Sequence, residues 1–370
     1  MIEATFVVHF DDYHGFIVEK RYPTSLKLNE ELLILIYTEH AKEKNVTLKV
    51  SDIQEMRIVS YMVKQHPGWM VCYVVEEKDD ITKMGEDIAG MSRLILELIS
   101  FSPEDINLEE ILKHRSILPE LTEEQKLAEV YLTPSTALLL ERMQTQGVES
   151  AAKLSIWLKN QIQSDTVDIR DAVAPLLRSG IVKVEMIGKT KETVFLMKDI
   201  FGYRAPPVEA LENAKETYPS IMDRYTESVR TFFSPPPPDK GYNPTLPVDD
   251  PNSPIVEDRE QIAKLIAHSL HYIVLNSLRN GPMSVDKISD LTSLPSAVVQ
   301  NSLWALEAER VAMSFDGENV WALLTNPIIE SFLPEYVLHL VEAKYVDKEL
   351  SKEAAIRYLE LLENAWSDNK

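Results

Sequence analysis

Cysteine is almost absent from this sequence, and its scarcity limits the chemistry that the chain can perform. Among 370 residues the only cysteine is Cys72, which lies inside the apolar run Met70-Val71-Cys72-Tyr73-Val74-Val75. A single thiol forms neither an intrachain disulfide nor a cysteine-rich zinc site. The sequence therefore favours a reducing compartment.

Glycine is also scarce, with 11 residues in the whole chain, and no GxxxxGK[ST], GxGxxG, GxSxG or HExxH pattern occurs. These are the signatures of phosphate-binding loops, nucleophile elbows and zinc proteases. Two weaker pairs remain. Asp11 and Asp12 are typical of a turn in which aspartate side chains accept hydrogen bonds from nearby backbone N–H groups. His268 and His271 are three residues apart, as two metal ligands on one helix face would be, but no Asp, Glu or Cys follows at an interval suited to a further ligand. The sequence therefore predicts no enzymatic activity, no cofactor and no metal.

Long uncharged apolar runs are missing as well. No stretch approaches the roughly 18 residues of a membrane span, and the first five residues lack the basic start and apolar core of a secretion signal. Acidic side chains outnumber basic ones by 59 to 38, which gives a formal net charge of -21. This charge repels phosphate backbones and anionic lipids unless basic residues are segregated locally. We expect a cytoplasmic protein that meets membranes only indirectly.

The first 102 residues predict an antiparallel sheet with helices against it. The expected strands are 2–10, 15–22, 46–50, 54–64 and 69–76, and the expected helices are 28–44 and 81–101. The strands are rich in β-branched and aromatic residues, Asn29 is a helix cap, and the second helix has apolar residues at three- and four-residue spacing. This order is typical of an α+β domain.

After an acidic connector at 103–132, a pattern of three helices and a β-hairpin occurs twice. The first copy, 133–203, has expected helices at 136–146, 151–163 and 169–178 and strands at 181–186 and 193–197; the second, 258–326, has helices at 259–279, 285–291 and 296–308 and strands at 311–315 and 320–324. This pattern predicts two winged-helix domains. The third helix of each copy ends just before a valine-containing strand, which favours an internal repeat.

Two further segments complete the predicted organisation. Residues 204–257 combine a helix with a proline-rich linker that begins Ser234-Pro235-Pro236-Pro237-Pro238. Dense proline favours extended chain, so we interpret this segment as a spacer, with recruitment of a groove-binding partner as the alternative. Residues 327–370 are expected to be helical from 328 to 366.

The helix at 28–44 carries the best candidates for contact with a partner. The apolar run Leu33-Ile34-Leu35-Ile36 is wider than one face of an amphipathic helix needs. We expect Ile34 or Tyr37 to be exposed, on the side opposite Leu32 and Leu35, and to bind a protein. The alternative is a helix buried on both sides within the chain.

The tryptophans are divided between cores and contacts. Trp366, near the end of the sequence, is expected to contact a partner, whereas Trp69, Trp157, Trp304 and Trp321 are expected to pack in cores.

Winged helices also raise the hypothesis of DNA binding. The third helix of the first copy has two basic residues cancelled by two acidic ones, and that of the second copy offers only Gln300 and Asn301 for reading bases. The lysines of the first wing, Lys183, Lys189 and Lys191, are the one basic patch that favours phosphate contacts. Overall the sequence favours protein partners over nucleic acid.

Three segments resemble one known family. Residues 6–10, 13–23 and 69–74, followed by winged helices, resemble the longin-containing regulators of small GTPases, in particular the nitrogen permease regulator-like proteins. The resemblance implies a scaffold that binds Ras-like GTPases or other longin or roadblock-type domains, or that forms a homodimer. One branch of the family acts through an arginine in the loop before a sheet strand. The matching loop here, Lys64-Gln65-His66-Pro67-Gly68, contains no arginine.

Two alternative functions stay open. The tandem winged helices are also similar to subunits of the ESCRT-II membrane-remodelling complex, which use them for protein contacts. A DNA-binding transcription regulator is the alternative from a different functional class, and retention on duplex DNA that falls steeply with salt would distinguish it.

Overall fold

The structure is a computed structural model that describes most of the chain. The described residues are 2–11, 13–42, 46–54, 56–63, 66–76, 78–79, 81–101, 106–113, 121–164, 167–188, 191–234, 242, 246, 250, 253–315 and 317–368. They form two compact units: unit 1 comprises 1–121 with 289–299, and unit 2 comprises 122–288 with 300–370. The mixed α+β class with an N-terminal antiparallel sheet is confirmed.

Unit 1 is built around a five-stranded sheet. Its elements are β1 (Ile2–Asp11), β2 (Gly15–Tyr22), α1 (Glu30–Lys42), β3 (Leu48–Ile53), β4 (Met56–Tyr61), β5 (Trp69–Val75), α2 (Ile81–Phe101) and α3 (Leu108–Lys113). The strand order is β2-β1-β5-β4-β3, and all neighbours are antiparallel. The strand expected over 54–64 is present as the shorter β4, and the chain turns before it at Gln54, whose φ is 50°.

The sheet of unit 1 is buried on both faces. Alternate strand residues point to opposite sides, so Phe6 and Val8 join Leu33 and Ile36 of α1 in one core. On the opposite face of the sheet, Tyr73 is fully buried, and its hydroxyl lies 3.0 Å from Ser92 Oγ of α2. The helices therefore cover the sheet through residues whose pattern is visible in the sequence.

The chain from residue 122 onward repeats one order of elements. Repeat 1 (122–233) contains α4 (Glu123–Leu132), α5 (Pro134–Gln146), β6 (Val148–Ser150), α6 (Ala151–Ile162), α7 (Ile169–Arg178), β7 (Val182–Ile187), β8 (Lys191–Leu196), β9 (Asp199–Ala205), α8 (Val208–Thr217) and α9 (Met222–Phe233). Repeat 2 (255–368) contains α10 (Ile255–Ala267), α11 (Ser269–Arg279), α12 (Val285–Thr292), α13 (Ser296–Ala308), β10 (Ala312–Phe315), β11 (Val320–Leu323), β12 (Asn326–Phe332), α14 (Val337–Val346) and α15 (Lys352–Asp368). An isolated bridge from Met283 to Trp321 stands where repeat 1 has β6.

The two repeats share hydrogen bonds where the helix before the hairpin ends. Gly180 and Arg310 both have left-handed backbones, with φ of 68° and 55°. The equivalent bonds are Ile181 N to Leu176 O at 2.9 Å, Val311 N to Leu306 O at 2.8 Å, Met197 N to Ile181 O at 2.7 Å and Leu324 N to Val311 O at 2.8 Å. The similarity noted in the sequence therefore extends to a repeated backbone geometry.

Each repeat supplies the helices that cover the hairpin of the other. In repeat 1, Tyr225 of α9 donates to Leu323 O at 2.8 Å and packs edge-on to Phe315. In repeat 2, Tyr358 of α15 donates to Leu196 O at 2.5 Å, with its ring 5.3 Å from that of Phe195. Leu196 and Leu323 occupy equivalent positions, so each repeat covers the hairpin of the other in the same way.

A strand pair and a buried ion pair join the repeats within unit 2. Strand β9 pairs with β12 from Asp199 opposite Phe332 to Ala205 opposite Asn326. Arg204 Nε donates to Asp258 Oδ1 at 2.8 Å, and the two side chains are 4% and 8% exposed. Backbone pairing and a buried charge pair therefore act at the same junction.

Three predicted segments were wrong in their boundaries. The connector at 103–132 contains α3 and α4, and α4 begins with a capping box between Thr122 and Gln125. The helix expected over 259–279 breaks at His268, which is extended and whose Nδ1 accepts from His271 N at 3.4 Å. The helical C-terminus expected from 328 instead begins with β12, because its partner β9, which was not predicted, is far away in the sequence.

The proline-rich segment is described at only a few positions, and most of it lies outside the described residues. Tyr242 is buried, accepts a hydrogen bond from Arg204 N at 3.0 Å and stacks on Phe232. The segment is therefore attached to unit 2 at Tyr242. A spacer without contacts to the folded domains would not bury this side chain.

We expect the stability of unit 2 to fall as the pH is lowered from 6.5 through 4. Burial lowers the pKa of His271 to about 4, so the unfolded chain binds a proton at this site more readily than the folded chain. The contribution of His271 to the free energy of unfolding is thus fully present above the unfolded pKa of about 6.5. About 3 kcal/mol of this contribution is lost by pH 4. His271→Leu should reduce this pH dependence in denaturant unfolding. Identical pH profiles for wild type and His271→Leu would contradict the assignment.

Candidate protein-interaction site

The β1–β2 hairpin ends in a turn held by one carboxylate. Asp11 Oδ1 accepts from the backbone N–H groups of Tyr13 at 2.9 Å and His14 at 2.8 Å, and it lies 2.8 Å from His14 Nδ1. The backbone bond from His14 contributes most to lowering the pKa of this carboxyl group. Asp11 therefore organises the turn, as its position suggested, while Asp12 lies outside the described residues.

Three aromatic rings connect this hairpin to α1. Phe10 and Phe16 are opposite each other in the β1–β2 ladder, with ring centroids 5.1 Å apart. The ring of Tyr37 lies 5.3 Å from that of Phe16 and 6.2 Å from that of Phe10. Tyr37 is thus half-buried in an aromatic cluster, so of Ile34 and Tyr37, one of which was expected to be exposed, Tyr37 is not the freely exposed residue.

Helix α1 presents two aliphatic side chains to solvent. Ile34 is 46% exposed, in agreement with the expectation, but Leu35 is 38% exposed and its expected burial was wrong. Successive helical residues are rotated by about 100°, so Leu33 and Ile36 share the core-facing side while Ile34 and Leu35 point away from it. Whether Ile34 and Tyr37 bind a partner stays a prediction.

We call Ile34, Leu35, Tyr37 and Phe10 the α1 surface. Phe10 is 39% exposed, and the first turn of α1 carries two acidic residues. Exposed apolar residues that occur singly are common, whereas Ile34 and Leu35 are adjacent on the helix that carries Tyr37 of the aromatic cluster. This surface suits a partner with apolar anchors.

Of the lysines expected to contact phosphate, Lys183 is paired with a carboxylate of its own hairpin. Lys183 Nζ lies 3.1 Å from Glu185 Oε1, and Arg357 donates to both oxygens of the same carboxylate. Arg357, and to a lesser extent Lys183, hold the pKa of Glu185 at about 2. Lys191 is exposed, and Lys189 lies outside the described residues.

The helices that precede the two hairpins offer little basic surface. Arg178 of α7 pairs with Glu129 at 3.3 Å. In α13, Gln300 and Asn301 are half-buried. Trp304 is 56% exposed, so its expected place in a core was wrong. The helix buries Leu303 and Leu306, and Trp304 falls just outside that face because one residue advances the helix by about 100°.

The other tryptophans agree more closely with expectation. Trp321 is buried, Trp69 stacks on His9 with centroids 4.4 Å apart, and Trp157 lies beneath Arg142. Trp366 is half-buried, and its indole N–H is buried without a hydrogen-bond partner in the described part of the chain. Trp366 is therefore only partly accessible to a partner.

No group of three or more His, Cys, Asp or Glu residues suited to a metal occurs among the residues that the structure describes. Cys72 is fully buried, and burial raises the pKa of its thiol. Within the same described ranges, no helix is both long enough and apolar enough to cross a membrane.

No protein-family model matches the chain, and no curated protein matches it. The function is therefore inferred from the geometry of the α1 surface and of the two repeats.

Proposed function

We propose that this chain is a non-catalytic scaffold that binds proteins through the α1 surface of a longin-like domain and holds two winged-helix domains in a fixed pair. The exposure of Ile34 and Leu35 beside the aromatic cluster carries the proposal. Its partner is a small Ras-like GTPase, another longin or roadblock-type domain, or a second copy of the chain.

The architecture of unit 1 supports the longin-like part of this proposal. An antiparallel sheet with helices α1 and α2 on its two faces fits the domain that the resemblance implies. Such a sheet has outer edges at β2 and β3 and an outward helix face, which are the surfaces that protein association uses.

The repeats of unit 2 support protein contacts over DNA reading. Each hairpin has a helix pair from the other repeat packed against it through Tyr225 or Tyr358. The salt bridges of Lys183 and Arg178 neutralise basic groups that phosphate contacts would need. A covered hairpin with paired cations is a poor duplex reader and a suitable rigid spacer.

We expect Ile34→Asp to abolish partner binding while changing the melting temperature by less than about 3 °C, since a solvent-exposed aliphatic residue contributes little to folding. The assay uses the purified full chain, with light scattering for self-association. Binding to purified Ras-like GTPases, loaded with GDP or a GTP analogue, and to purified longin and roadblock-type domains is measured by calorimetry.

Leu359→Asp is the matched control, because Leu359 is 45% exposed on helix α15 in the other unit. It should leave every interaction intact. A wild-type chain that stays monomeric and binds none of these partners contradicts the proposal, as does equal loss of binding in both variants.

A further inference from the structure

A polar cleft in unit 2 gathers most of its cations from distant parts of the sequence. It has a volume of about 260 Å³ and is lined on its charged side by Arg142, Lys153, Lys191 and Lys344, opposed by the carboxylates of Glu149 and Glu349. The cations come from α5, α6, β8 and α14. In a chain of net charge -21, this excess of positive charge is a local exception.

The lysines of this cleft outnumber the carboxylates that can balance them, since Lys153, Lys191 and Lys344 are opposed by Glu349 once Arg142 has paired with Glu149. Arg142 donates to both oxygens of Glu149, at 2.9 and 3.0 Å, and these two charges cancel. Lys153, Lys191 and Lys344 make no salt bridge in the described part of the chain, where the cleft's charge pair is that between Arg142 and Glu149. Three ammonium groups around one cleft repel each other, and a bound anion would relieve that repulsion.

Lys344 is the most constrained of the three. The residue is half-buried, and its ammonium group donates to the backbone oxygen of Val148 at 2.9 Å. Burial lowers its pKa, and the nearby charges of Glu149 and Glu349 offset this only in part. An anion in the cleft would stabilise the charged form of Lys344.

The cleft also includes the start of helix α6. Ser150 caps this helix by accepting from Lys153 N at 3.4 Å, and it lines the cleft. The positive end of the helix dipole therefore adds to the lysine charges.

Repeat 2 provides an internal comparison. Ser284 accepts from Lys287 N at 3.3 Å, as Ser150 does from Lys153 N. Five residues before Leu323, however, stands Glu318, whereas Lys191 stands five residues before the equivalent Leu196. The shared scaffold thus carries opposite charge at this position, so the basic character of the cleft is specific to repeat 1.

We propose that the cleft between β6, β8, α6 and α14 binds a small anion of the phosphate class, supplied either by a free phosphorylated molecule or by a lipid headgroup. Lysine ammonium groups and a helix N-terminus are recurrent phosphate ligands. This site is independent of the α1 surface, so its test does not depend on the proposed function.

The test uses the full chain and two double variants with the same change of charge. Lys153→Glu with Lys191→Glu alters two exposed residues of the cleft, and the control variant, Lys215→Glu with Lys287→Glu, alters two exposed residues outside it. Pyrophosphate binding is measured by calorimetry at constant ionic strength. Flotation uses phosphatidylcholine vesicles with and without phosphatidylinositol bisphosphate, and melting curves confirm that each variant is folded.

We expect saturable binding that weakens at least tenfold in the cleft variant and changes less than twofold in the control variant. Binding of pyrophosphate alone assigns a free ligand, and stronger retention on the phosphoinositide vesicles assigns a lipid headgroup. Lys191→Gln alone should weaken binding severalfold. Absence of binding to both probes, or equal loss in both double variants, overturns the proposal.

Discussion

Arg204→Met is expected to destabilise unit 2 by about 3 to 5 kcal/mol, because it leaves the buried carboxylate of Asp258 without its partner. Arg204 also donates to Glu309 O at 2.6 Å and lies within 3.4 Å of Thr325 Oγ1. One substitution therefore removes contacts to α10, to the end of α13 and to the chain before β12. Urea unfolding of the full chain measures the loss.

The control for this prediction is Arg178→Met. The Arg178–Glu129 pair is 3.3 Å long and its side chains are 60% and 28% exposed, so its loss should change stability by about 0.5 kcal/mol or less. The double variant Arg204→Met with Asp258→Leu should recover part of the lost stability, since replacing both charges removes the unpaired carboxylate. Equal effects of the Arg204 and Arg178 substitutions would show that the buried pair does not hold the repeats together.

Tyr358→Ala and Tyr225→Ala are each expected to cost about 3 to 5 kcal/mol, because both side chains are fully buried against a hairpin of the other repeat. Each substitution should increase hydrogen exchange mainly in the hairpin that the replaced tyrosine covers. Tyr358→Ala should increase hydrogen exchange in β7 and β8, and Tyr225→Ala should increase it in β10 and β11. The phenylalanine variants should lose only about 1 kcal/mol, which is the hydrogen bond to Leu196 or Leu323.

Tyr345→Ala serves as the control, since Tyr345 is 48% exposed on α14. It should change stability by roughly 0.5 kcal/mol or less. If Tyr358→Ala raises hydrogen exchange in β10 and β11 as much as in β7 and β8, Tyr358 does not stabilise the first hairpin specifically. The description of each repeat covering the other's hairpin is then wrong.

The sequence by itself was sufficient for elements stabilised by short-range interactions. Helices α2, α7 and α13 have the predicted bounds, because apolar spacing and caps act within a few residues. The same reasoning located the two hairpins and the exposed Ile34. For the candidate α1 surface, an apolar run too wide for one helix face was a sufficient signal.

Only the tertiary structure decided which distant segments meet. The pairing of β9 with β12, the break at His268 and the covering of each hairpin by the other repeat depend on contacts across the whole of unit 2. The lysine cleft was missed for the same reason, since its residues lie on α5, α6, β8 and α14. Local periodicity does not identify such pairings, because the sequence around a strand, a cap or a lysine does not depend on which distant partner it contacts.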